Sequence, residues 1–246
     1  MICVSIVSHQ HGQMVADLVK KLLFFKCVDR IILTFNVQEV LNLPESDRLI
    51  IIENSEKKGF GENHNCAFLL CQSDYFCVMN PDILIYSNPF PALLKTFKQK
   101  QVDLLAPLIL NKNHEYDDNV RKFPSIFSVF FRLFRTPKNK LNLNKNINFI
   151  YSDWVAGMFM IFKCESYSAL GGFDSKYYLY YEDVDICFRF WKYGYKVGAN
   201  TSVKVIHDAR RANRSDLSHM SWYLISCIRF LCKFPFGIKK LRAING

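Results

Sequence analysis

Short apolar segments alternate with amphipathic segments through the first 80 residues, and this alternation constrains the fold more than any other feature. The apolar segments have the length of buried strands, and the segments between them carry apolar residues at helical spacing. We predict strands at residues 2–7, 30–35, 48–53 and 75–79, and helices at 12–25 and 63–71. This order predicts an α/β fold in three layers, with helices on both faces of a mainly parallel central sheet. Ligands of such sheets bind beyond the carboxyl ends of the strands.

The composition supports one large α/β domain or two small ones. The chain has 246 residues, of which 50% are hydrophobic, so it can bury a full core rather than remain disordered. No charge-free stretch reaches the length of a membrane-spanning helix, and the apolar start reads as a strand rather than a signal peptide. The nine cysteines form no CxxC pair, which favours free thiols in a reducing cytosol over a disulfide framework or a zinc site.

The formal net charge of +10 predicts a polyanionic partner. Nucleic acid, anionic lipid headgroups and phosphorylated small molecules all fit such a charge. Charge alone does not choose among these three classes.

The second half of the chain is less regular. Residues 111–148 are rich in Lys, Arg, Asn and Phe and have weak periodicity, so we predict a basic insertion there. Beyond it we predict strands at residues 154–162 and 202–206, with a helix between them at 184–193. We predict one domain over residues 1–211, followed by an amphipathic helical tail over 212–246.

Two polar loops follow strands of the predicted sheet. Residues 54–65 (NSEKKGFGENHN) combine glycines with the start of a helix, an arrangement that lets the backbone approach an anion. The loop is not a GxGxxG motif, and a plain strand-to-helix turn is an equally good interpretation. Asn80-Pro81-Asp82 places a carboxylate where Mg²⁺ or Mn²⁺ could bind, although these residues also favour a simple turn.

Three acids stand within four positions behind a run of tyrosines. Glu182, Asp183 and Asp185 follow YYLYY at residues 177–181. Acids in the first turn complement the helix dipole, and for Asp185 we favour that structural role. For Glu182 and Asp183 the aromatic surroundings favour a pocket, because apolar walls shift carboxyl pKa values toward those of a general base.

A histidine ends the last predicted strand. His207 is followed by Asp208, Arg210 and Arg211. The strand-end position fits a metal ligand, and arginines suit contact with phosphate. A structural histidine beside a solvated basic edge is the alternative.

Taken in this order, these segments resemble the family-2 inverting glycosyltransferases with the Rossmann-like GT-A fold. The resemblance is greatest to rhamnosyltransferase-like enzymes of bacterial surface polysaccharide biosynthesis, such as those of O-antigen, capsule and lipopolysaccharide. It extends to about residue 211. The matching segments are VSHQHG, NSEKKGFGENHN, VMNPD, DWVAGMFMIF, GGFDSKYYLYYEDVDICFR and VIHDARR.

The resemblance implies an inverting hexosyl or deoxyhexosyl transfer from a nucleotide sugar. It makes Asp183 the general base, with Glu182 beside it. Asp82 then matches the last acid of the family's metal-binding DxD motif, and Asn80 replaces the first acid, so the implied Mg²⁺ or Mn²⁺ is weakly bound. His207 matches a histidine that completes the metal site in some relatives.

The resemblance also implies binding residues for both substrates. Donor contacts fall on Ser8, His9, Asn36, Asn54, Gly59, Phe60, Asn65, Asn80 and Asp82. Acceptor contacts fall on Trp154, Gly157, Tyr181 and Arg210. Lys57 and Lys58 are candidates to stabilise the departing diphosphate. Asn36 stands where an acid is frequent, which implies different contacts to the nucleobase.

The expected partners are a dTDP- or UDP-linked donor and a glycan acceptor, often lipid-linked in this family, with no nucleic acid. In the tail, Trp222, Tyr223, Phe230 and Phe234 stand near Arg229 and several lysines. This pattern is typical of a membrane-interfacial surface or of a helix packed on the domain. Because the net charge is positive, we expect a cytoplasmic protein with peripheral contact at the inner face of the bacterial cell membrane.

Two other functions fit parts of the sequence. A nucleotidyltransferase acting on sugar phosphates would share the sheet and the metal-binding carboxylate, but the first strand is not followed by a glycine-rich loop containing Lys and Arg. A non-catalytic basic protein that binds RNA or membranes would share the charge. The acid pair among aromatic residues argues against that second alternative.

Overall fold

The computed structural model describes residues 1–124, 147–208 and 217–235. The strands in these ranges are β1 (Ile2–Ser8), β2 (Val28–Phe35), β3 (Leu49–Glu53), β4 (Tyr75–Met79), β5 (Ile83–Leu84), β6 (Leu104–Leu110), β7 (Val120–Arg121), β8 (Phe149–Tyr151), β9 (Trp154–Val155), β10 (Phe159–Lys163) and β11 (Val197–His207). The helices are α1 (Gln13–Leu23), α2 (Phe60–Phe68), α3 (Phe90–Lys100), α4 (Cys164–Ala169), α5 (Glu182–Lys192) and α6 (Leu217–Lys233). None of these helices combines the length and the apolar character that a bilayer crossing requires.

One mixed sheet organises the fold. Its order in the described part of the chain is β3-β2-β1-β4-β10-β6-β11-β5, and β8 pairs with β11 outside this order. The strands from β1 to β4 run parallel, as do β6 and β11, whereas β10 is antiparallel to both of its neighbours. The predicted α/β class with a mostly parallel sheet is therefore confirmed; β10 in its middle, and β5 and β8 beside β11, pair antiparallel.

Apolar cores lie on both faces of this sheet. Successive residues of β1 point to opposite sides, so Cys3 joins the core under α2 and α5, and Val4 joins the core under α1 and α3. Ala67 of α2 belongs to the first core and Leu93 of α3 to the second. This arrangement confirms the three-layer prediction.

The strand predicted at residues 154–162 is in fact two strands. β9 pairs with β7, whereas β10 lies between β4 and β6 in the main sheet. The chain leaves the ladder at Gly157, whose N–H donates to the Asp183 carboxylate over 3.1 Å. This break turns Gly157 toward α5.

Other differences concern element bounds. α2 begins three residues before the predicted start, immediately after Gly59, and β11 begins at Val197 rather than at residue 202. The prediction did not include α3 or β6. Of the predicted basic insertion, residues 125–146 lie outside the described part of the chain.

Helix α6 packs on the domain through its aromatic residues, which corrects the interfacial surface predicted from them. Ring centroids are 4.9 Å apart for Trp222 and Tyr178, 5.6 Å for Tyr223 and Tyr181, 5.7 Å for Phe230 and Tyr181, and 4.2 Å for Phe234 and Phe188. These rings face the protein because the tyrosines before α5 offer them an apolar surface. Packing on the domain is therefore the interpretation that the structure supports.

Ion pairs hold the end of α6. Lys233 Nζ lies 2.6 Å from Asp185 and 2.7 Å from Asp174. Asp185 is fully buried and also accepts from Arg189 Nε over 2.7 Å. Asp185 therefore has the structural role that we favoured, as the buried anion that joins α5 to α6.

Candidate active site

A cleft of about 650 Å³ opens at the carboxyl ends of β1, β2 and β4. It is lined by Val7, His9, Gln10, His11, Val37, Lys57, Lys58, Phe60, His64, Met79, Asn80, Pro81, Asp82, Tyr178, Leu179, His219 and Trp222. This is the edge at which α/β sheets bind ligands. His9, Phe60, Asn80 and Asp82 are the sequence-predicted donor residues that line it.

An asparagine network shapes the loop after β3. Asn36 Oδ1 accepts from Asn54 Nδ2 over 2.7 Å and from the backbone N–H of Lys58 over 2.8 Å. Asn54 Nδ2 also donates to Asn63 Oδ1, and Asn63 Nδ2 donates to the Gly59 carbonyl. Asn36 and Asn54 thus hold the loop that presents Lys57 and Lys58, rather than lining the cleft themselves. Asn63 was not predicted as a site residue, although it stands in the same polar loop as Asn54 and could have been included for that reason.

Ser8 and His9 end β1 in different environments. Ser8 is buried, and its hydroxyl donates to Glu39, which also accepts from the N–H of Gly12. Ser8 is therefore a support for the loop, and Glu39 is a residue that the sequence did not single out. His9 lines the cleft, and its pKa is lowered by burial and by the nearby His11 and Lys57.

Gly59 and Phe60 join the donor loop to the tyrosine segment. The Phe60 N–H donates to the Tyr178 carbonyl over 2.9 Å, and a Cβ on Gly59 would lie only 2.8 Å from that oxygen. The Phe60 ring packs at 4.5 Å on His64. Burial lowers the pKa of His64 to about 3, so this histidine is neutral and bonds to Ser5.

Asp82, which lines the cleft, lies beside His207. His207 Nε2 lies 3.2 Å from Asp82 Oδ2, and its Nδ1 lies 3.0 Å from Asp117 Oδ2. Burial lowers the pKa of His207, but the hydrogen bonds and charges of Asp117 and Asp82 outweigh it and raise the value to about 9. The structure thus brings together the two predicted metal residues and adds Asp117, which the sequence did not indicate.

The surroundings of Asp82 offer part of a site for a divalent cation. Asp82 Oδ1 is buried and has no hydrogen-bond partner among the described residues. An orphaned carboxylate oxygen beside a cleft suits Mg²⁺ or Mn²⁺, which take oxygen ligands and share them with substrate phosphates. Within residues 1–124, 147–208 and 217–235, however, no group of three or more His, Cys, Asp or Glu side chains could hold a metal ion. The residues therefore fit a cation that is held in part by substrate.

Asp183 stands at the start of α5, next to Gly157 and Phe60. Its Oδ2 accepts from Gly157 N–H over 3.1 Å, and its Oδ1 accepts from Val184 N–H over 2.8 Å. A Cβ on Gly157 would lie 3.2 Å from the Phe60 ring and 3.7 Å from Asp183 Cβ. The Met158 carbonyl accepts from the Asn80 N–H, so the segment that carries Gly157 adjoins the Asn80-Pro81-Asp82 turn. Asp183 is thus brought near the cleft.

Burial raises the pKa values of both acids at the start of α5. Glu182 is the more affected, because burial and the adjacent Asp183 charge raise its pKa well above the usual range. Its Oε2 has no hydrogen-bond partner among the described residues. The pKa of Asp183 is also raised by burial, but two backbone N–H groups stabilise its anion. The two N–H groups therefore favour the anion on Asp183, whereas burial and the adjacent charge disfavour it on Glu182.

Several predicted substrate contacts lie elsewhere. Asn65 is away from the cleft, where its amide bonds to Phe173 N–H and carbonyl and accepts from the Tyr167 hydroxyl. Trp154 is buried, with its indole N–H bonded to the Lys122 carbonyl. Arg210 lies outside the described residues. Both side chains are occupied in holding turns and strands, so the structure gives no support to the contacts predicted for Asn65 and Trp154, which stay predictions.

Tyr181, predicted as an acceptor contact, packs against α6 in this structure. It is 5% exposed, and its ring lies between Tyr223 and Phe230 of α6. Burial raises its pKa far above the usual range. The pocket that the tyrosine run predicted is instead lined by Tyr178, together with His219 and Trp222 of α6. From the sequence, Trp222 was predicted only as part of a membrane-interfacial surface or of a helix packed on the domain.

The mixed sheet with a cleft at its strand ends matches the GT-A fold of known glycosyltransferases. Two solved structures share this fold: GalNAc-T7 with UDP, GalNAc and Mn²⁺ (TM-score 0.63, 13% identity, 88% of this chain and 45% of that one), and the mannosyltransferase PcManGT from Pyrobaculum calidifontis with GDP-Man and Mn²⁺ (TM-score 0.57, 13% identity, 86% and 58%). At 13% sequence identity, these similarities show the fold alone.

The family is shown by sequence. The model of glycosyl transferase family 2 matches residues 35–165. The chain is 31% identical over 189 residues to rhamnosyltransferase WbbL of Escherichia coli K12, which covers 71% of this chain and 70% of that protein. It is 25% identical over 177 residues to the N-acetylglucosaminyl-diphospho-decaprenol L-rhamnosyltransferase of Mycobacterium tuberculosis H37Rv, and spans 55% of that protein's length.

This chain belongs to glycosyl transferase family 2, and it is a glycosyltransferase of glycan biosynthesis. The resemblance seen in the sequence motifs is thereby confirmed. The nucleotidyltransferase and the non-catalytic binding protein, which the sequence left open as alternatives, are set aside by this membership.

Proposed function

We propose that this glycosyltransferase moves a rhamnosyl group from a dTDP- or UDP-linked donor to a lipid-linked glycan, with inversion at the anomeric carbon. We choose rhamnose as the transferred sugar because the chain is similar to rhamnosyltransferase WbbL over 71% of its length. The mycobacterial relative, whose name specifies a diphospho-decaprenol acceptor, supports a lipid-linked one. In this proposal residues 1–211 form the transferase domain and residues 212–246 a helical tail that completes the cleft.

The cleft residues divide between the two ends of the donor. His9 and the loop held by Asn36, Asn54 and Gly59 surround the nucleotide. Lys57 and Lys58 lie where cationic side chains stabilise a departing diphosphate. A divalent cation bound at Asp82, with His207 beside it, would neutralise further charge on that diphosphate.

Asp183 serves as the general base for the acceptor hydroxyl. As the acceptor oxygen bonds to the anomeric carbon, its proton passes to the Asp183 carboxylate. The bond from that carbon to the nucleoside diphosphate breaks, and the departing oxygen keeps the electron pair. Attack from the face opposite the diphosphate inverts the carbon, so one base is sufficient. Glu182, protonated beside it, keeps the local charge to a single anion.

The test of the proposed function is a transfer assay on the wild-type protein. We expect dTDP-rhamnose or UDP-rhamnose to add one deoxyhexose to a short-chain polyprenyl-diphospho-N-acetylglucosamine, as seen by mass spectrometry. Transfer from UDP-glucose or UDP-N-acetylglucosamine, but from neither rhamnose donor, would contradict the choice of sugar. No transfer from any nucleotide sugar, with this acceptor or with membrane extract, would contradict the proposed function.

We propose that the outward face of α6 rests on the inner face of the cell membrane. Met220, Ile225 and Ile228 are exposed by 55%, 55% and 60%, and Leu224 lies on the same face. An apolar helix face on a protein of net charge +10 suits an anionic bilayer surface. The membrane surface proposed here consists of these aliphatic residues and not of the inward-facing aromatic ones.

Replacing both Ile225 and Ile228 by Ser should weaken binding to anionic phospholipid vesicles by about tenfold, because two apolar side chains no longer enter the interface. Vesicle co-sedimentation measures this change. Leu69→Ser, which replaces an exposed apolar side chain at the end of α2 and not on α6, is the matched control and should bind as the wild type does. Equal binding by the double variant, or no binding by the wild type, would contradict the membrane contact.

A further inference from the structure

One wall of the cleft comes from the tail helix and not from the strand ends. His219 and Trp222 of α6 line the cleft together with Tyr178 and Leu179. Residues 217–235 lie beyond the region matched by the family model, which ends at residue 165. We propose that Trp222 and His219 form the subsite for the acceptor sugar: a pyranose ring packs on the Trp222 indole, and one of its hydroxyl groups bonds to His219. This inference rests on the proposed function.

The two side chains are held in fixed positions. The Tyr180 hydroxyl and His219 Nδ1 are 2.9 Å apart, which leaves Nε2 as the ring nitrogen that a ligand can use. The rings of His219 and Trp222 meet edge to face with centroids 5.1 Å apart, and Trp222 packs at 4.9 Å on Tyr178. A site that is ordered before binding loses less entropy when the ligand arrives.

The backbone under this wall is strained. Tyr180 and Tyr181 have φ values of +70° and +65°, which side chains other than glycine rarely adopt. Such strain persists only where the surroundings enforce it, and it concentrates at ligand sites. The enforcing contacts come from α6, where Ser226 Oγ donates to the Leu179 carbonyl over 2.9 Å and Phe230 packs on Tyr181. The strained turn thus aims Tyr178 and Tyr180 at the residues of α6.

The position of the wall favours the acceptor over the donor. The strained turn leads directly into Glu182 and Asp183, and the acceptor hydroxyl must reach Asp183 to lose its proton. The diphosphate end of the donor requires cations, and these are supplied by Lys57 and Lys58 on the strand-end side of the cleft. The wall made by Tyr178, Leu179, His219 and Trp222 carries no fixed charge. An aromatic face beside an imidazole matches the mixed apolar and hydroxyl character of a sugar ring.

Trp222→Leu and His219→Ala are the test variants. We expect each to raise the KM for short-chain polyprenyl-diphospho-N-acetylglucosamine by about tenfold, which corresponds to one lost sugar contact. The dissociation constant for the free nucleoside diphosphate and the slow hydrolysis of the donor should stay as in the wild type. Trp222→Phe should recover most of the loss, because it keeps an aromatic face. Cys232→Ser, exposed on the same helix, is the matched control.

Two results would overturn the subsite. One is an unchanged acceptor KM in Trp222→Leu; the other is a nucleoside-diphosphate affinity that falls as much as the acceptor affinity does, which would place the wall in the donor site. Calorimetric titration of the acceptor analogue without donor separates this inference from the proposed function. A wild type that binds the analogue through Trp222 but transfers no rhamnose would support the subsite while contradicting the choice of donor.

Discussion

Asp183→Asn should lower the rate of sugar transfer by about 10³-fold, because a positioned general base contributes roughly 10² to 10⁴. The amide keeps the size of the carboxylate, but it cannot accept the acceptor proton. Nucleoside-diphosphate binding, measured by calorimetry, should remain within about twofold of the wild type, since His9, Lys57 and Lys58 are unchanged. A fall in kcat without a matching fall in nucleoside-diphosphate affinity is therefore the result that supports Asp183 as the base.

Asp17→Asn supplies a matched control, because Asp17 is exposed on α1 and receives the same chemical change. Glu182→Gln discriminates between the two acids. Burial and the neighbouring Asp183 charge raise the pKa of Glu182 and so favour its neutral form, and a neutral amide should therefore preserve most of the rate. A larger loss in Glu182→Gln than in Asp183→Asn would assign the base to Glu182 and contradict our choice.

The raised pKa of Asp183 has a consequence for the pH profile. The base must be ionised, and burial moves its pKa upward. Activity should therefore fall as the pH drops through a value above the ordinary aspartate range, which centres near 3.9. The acid limb of kcat/KM for the acceptor reports this value.

The layers of the fold were predictable because each strand and helix is encoded locally. The alternation of apolar and amphipathic segments predicted β1 to β4, α1 and α2 to within a few residues. The break at Gly157 was not predictable, since it depends on contacts with Asp183 and Phe60, which are distant in sequence. Residues 154–162 form one apolar run, so periodicity predicts a single strand there, although β9 and β10 belong to different sheets.

The cleft residues that follow a strand directly were the simplest part of the candidate site to predict. His9 and Asp82 follow β1 and β4, so the topology alone brings them to the cleft. The position of Asn65 away from the cleft was not predictable, because its amide bonds to a turn 108 residues away, at Phe173. Asp117, which meets His207, could not be inferred because nothing in the sequence joins two residues 90 positions apart.

Asp82→Asn should weaken the cation-dependent binding of a nucleoside diphosphate by roughly 100-fold, or about 2.7 kcal/mol. Asp82 Oδ1 is the orphaned oxygen beside the cleft, and the amide keeps its shape but loses the negative charge that attracts Mg²⁺ or Mn²⁺. Calorimetry with UDP and dTDP, with Mn²⁺ and with excess EDTA, measures the effect without any turnover. EDTA should weaken wild-type binding but change little in Asp82→Asn, because that variant has already lost the cation.

Asn80 sharpens this prediction, since it stands where the resemblance implies a second acid. Asn80→Asp adds a carboxylate beside Asp82 and should strengthen the Mn²⁺-dependent part of nucleotide binding while leaving binding in EDTA unchanged or weaker. Asp17→Asn again controls for the loss of one charge far from the cleft. Wild-type binding that is equal with Mn²⁺ and with EDTA would contradict the cation site. The neutralisation of the departing diphosphate would then rest on the lysines of the donor loop, and Lys57→Met and Lys58→Met would become the variants with the largest losses.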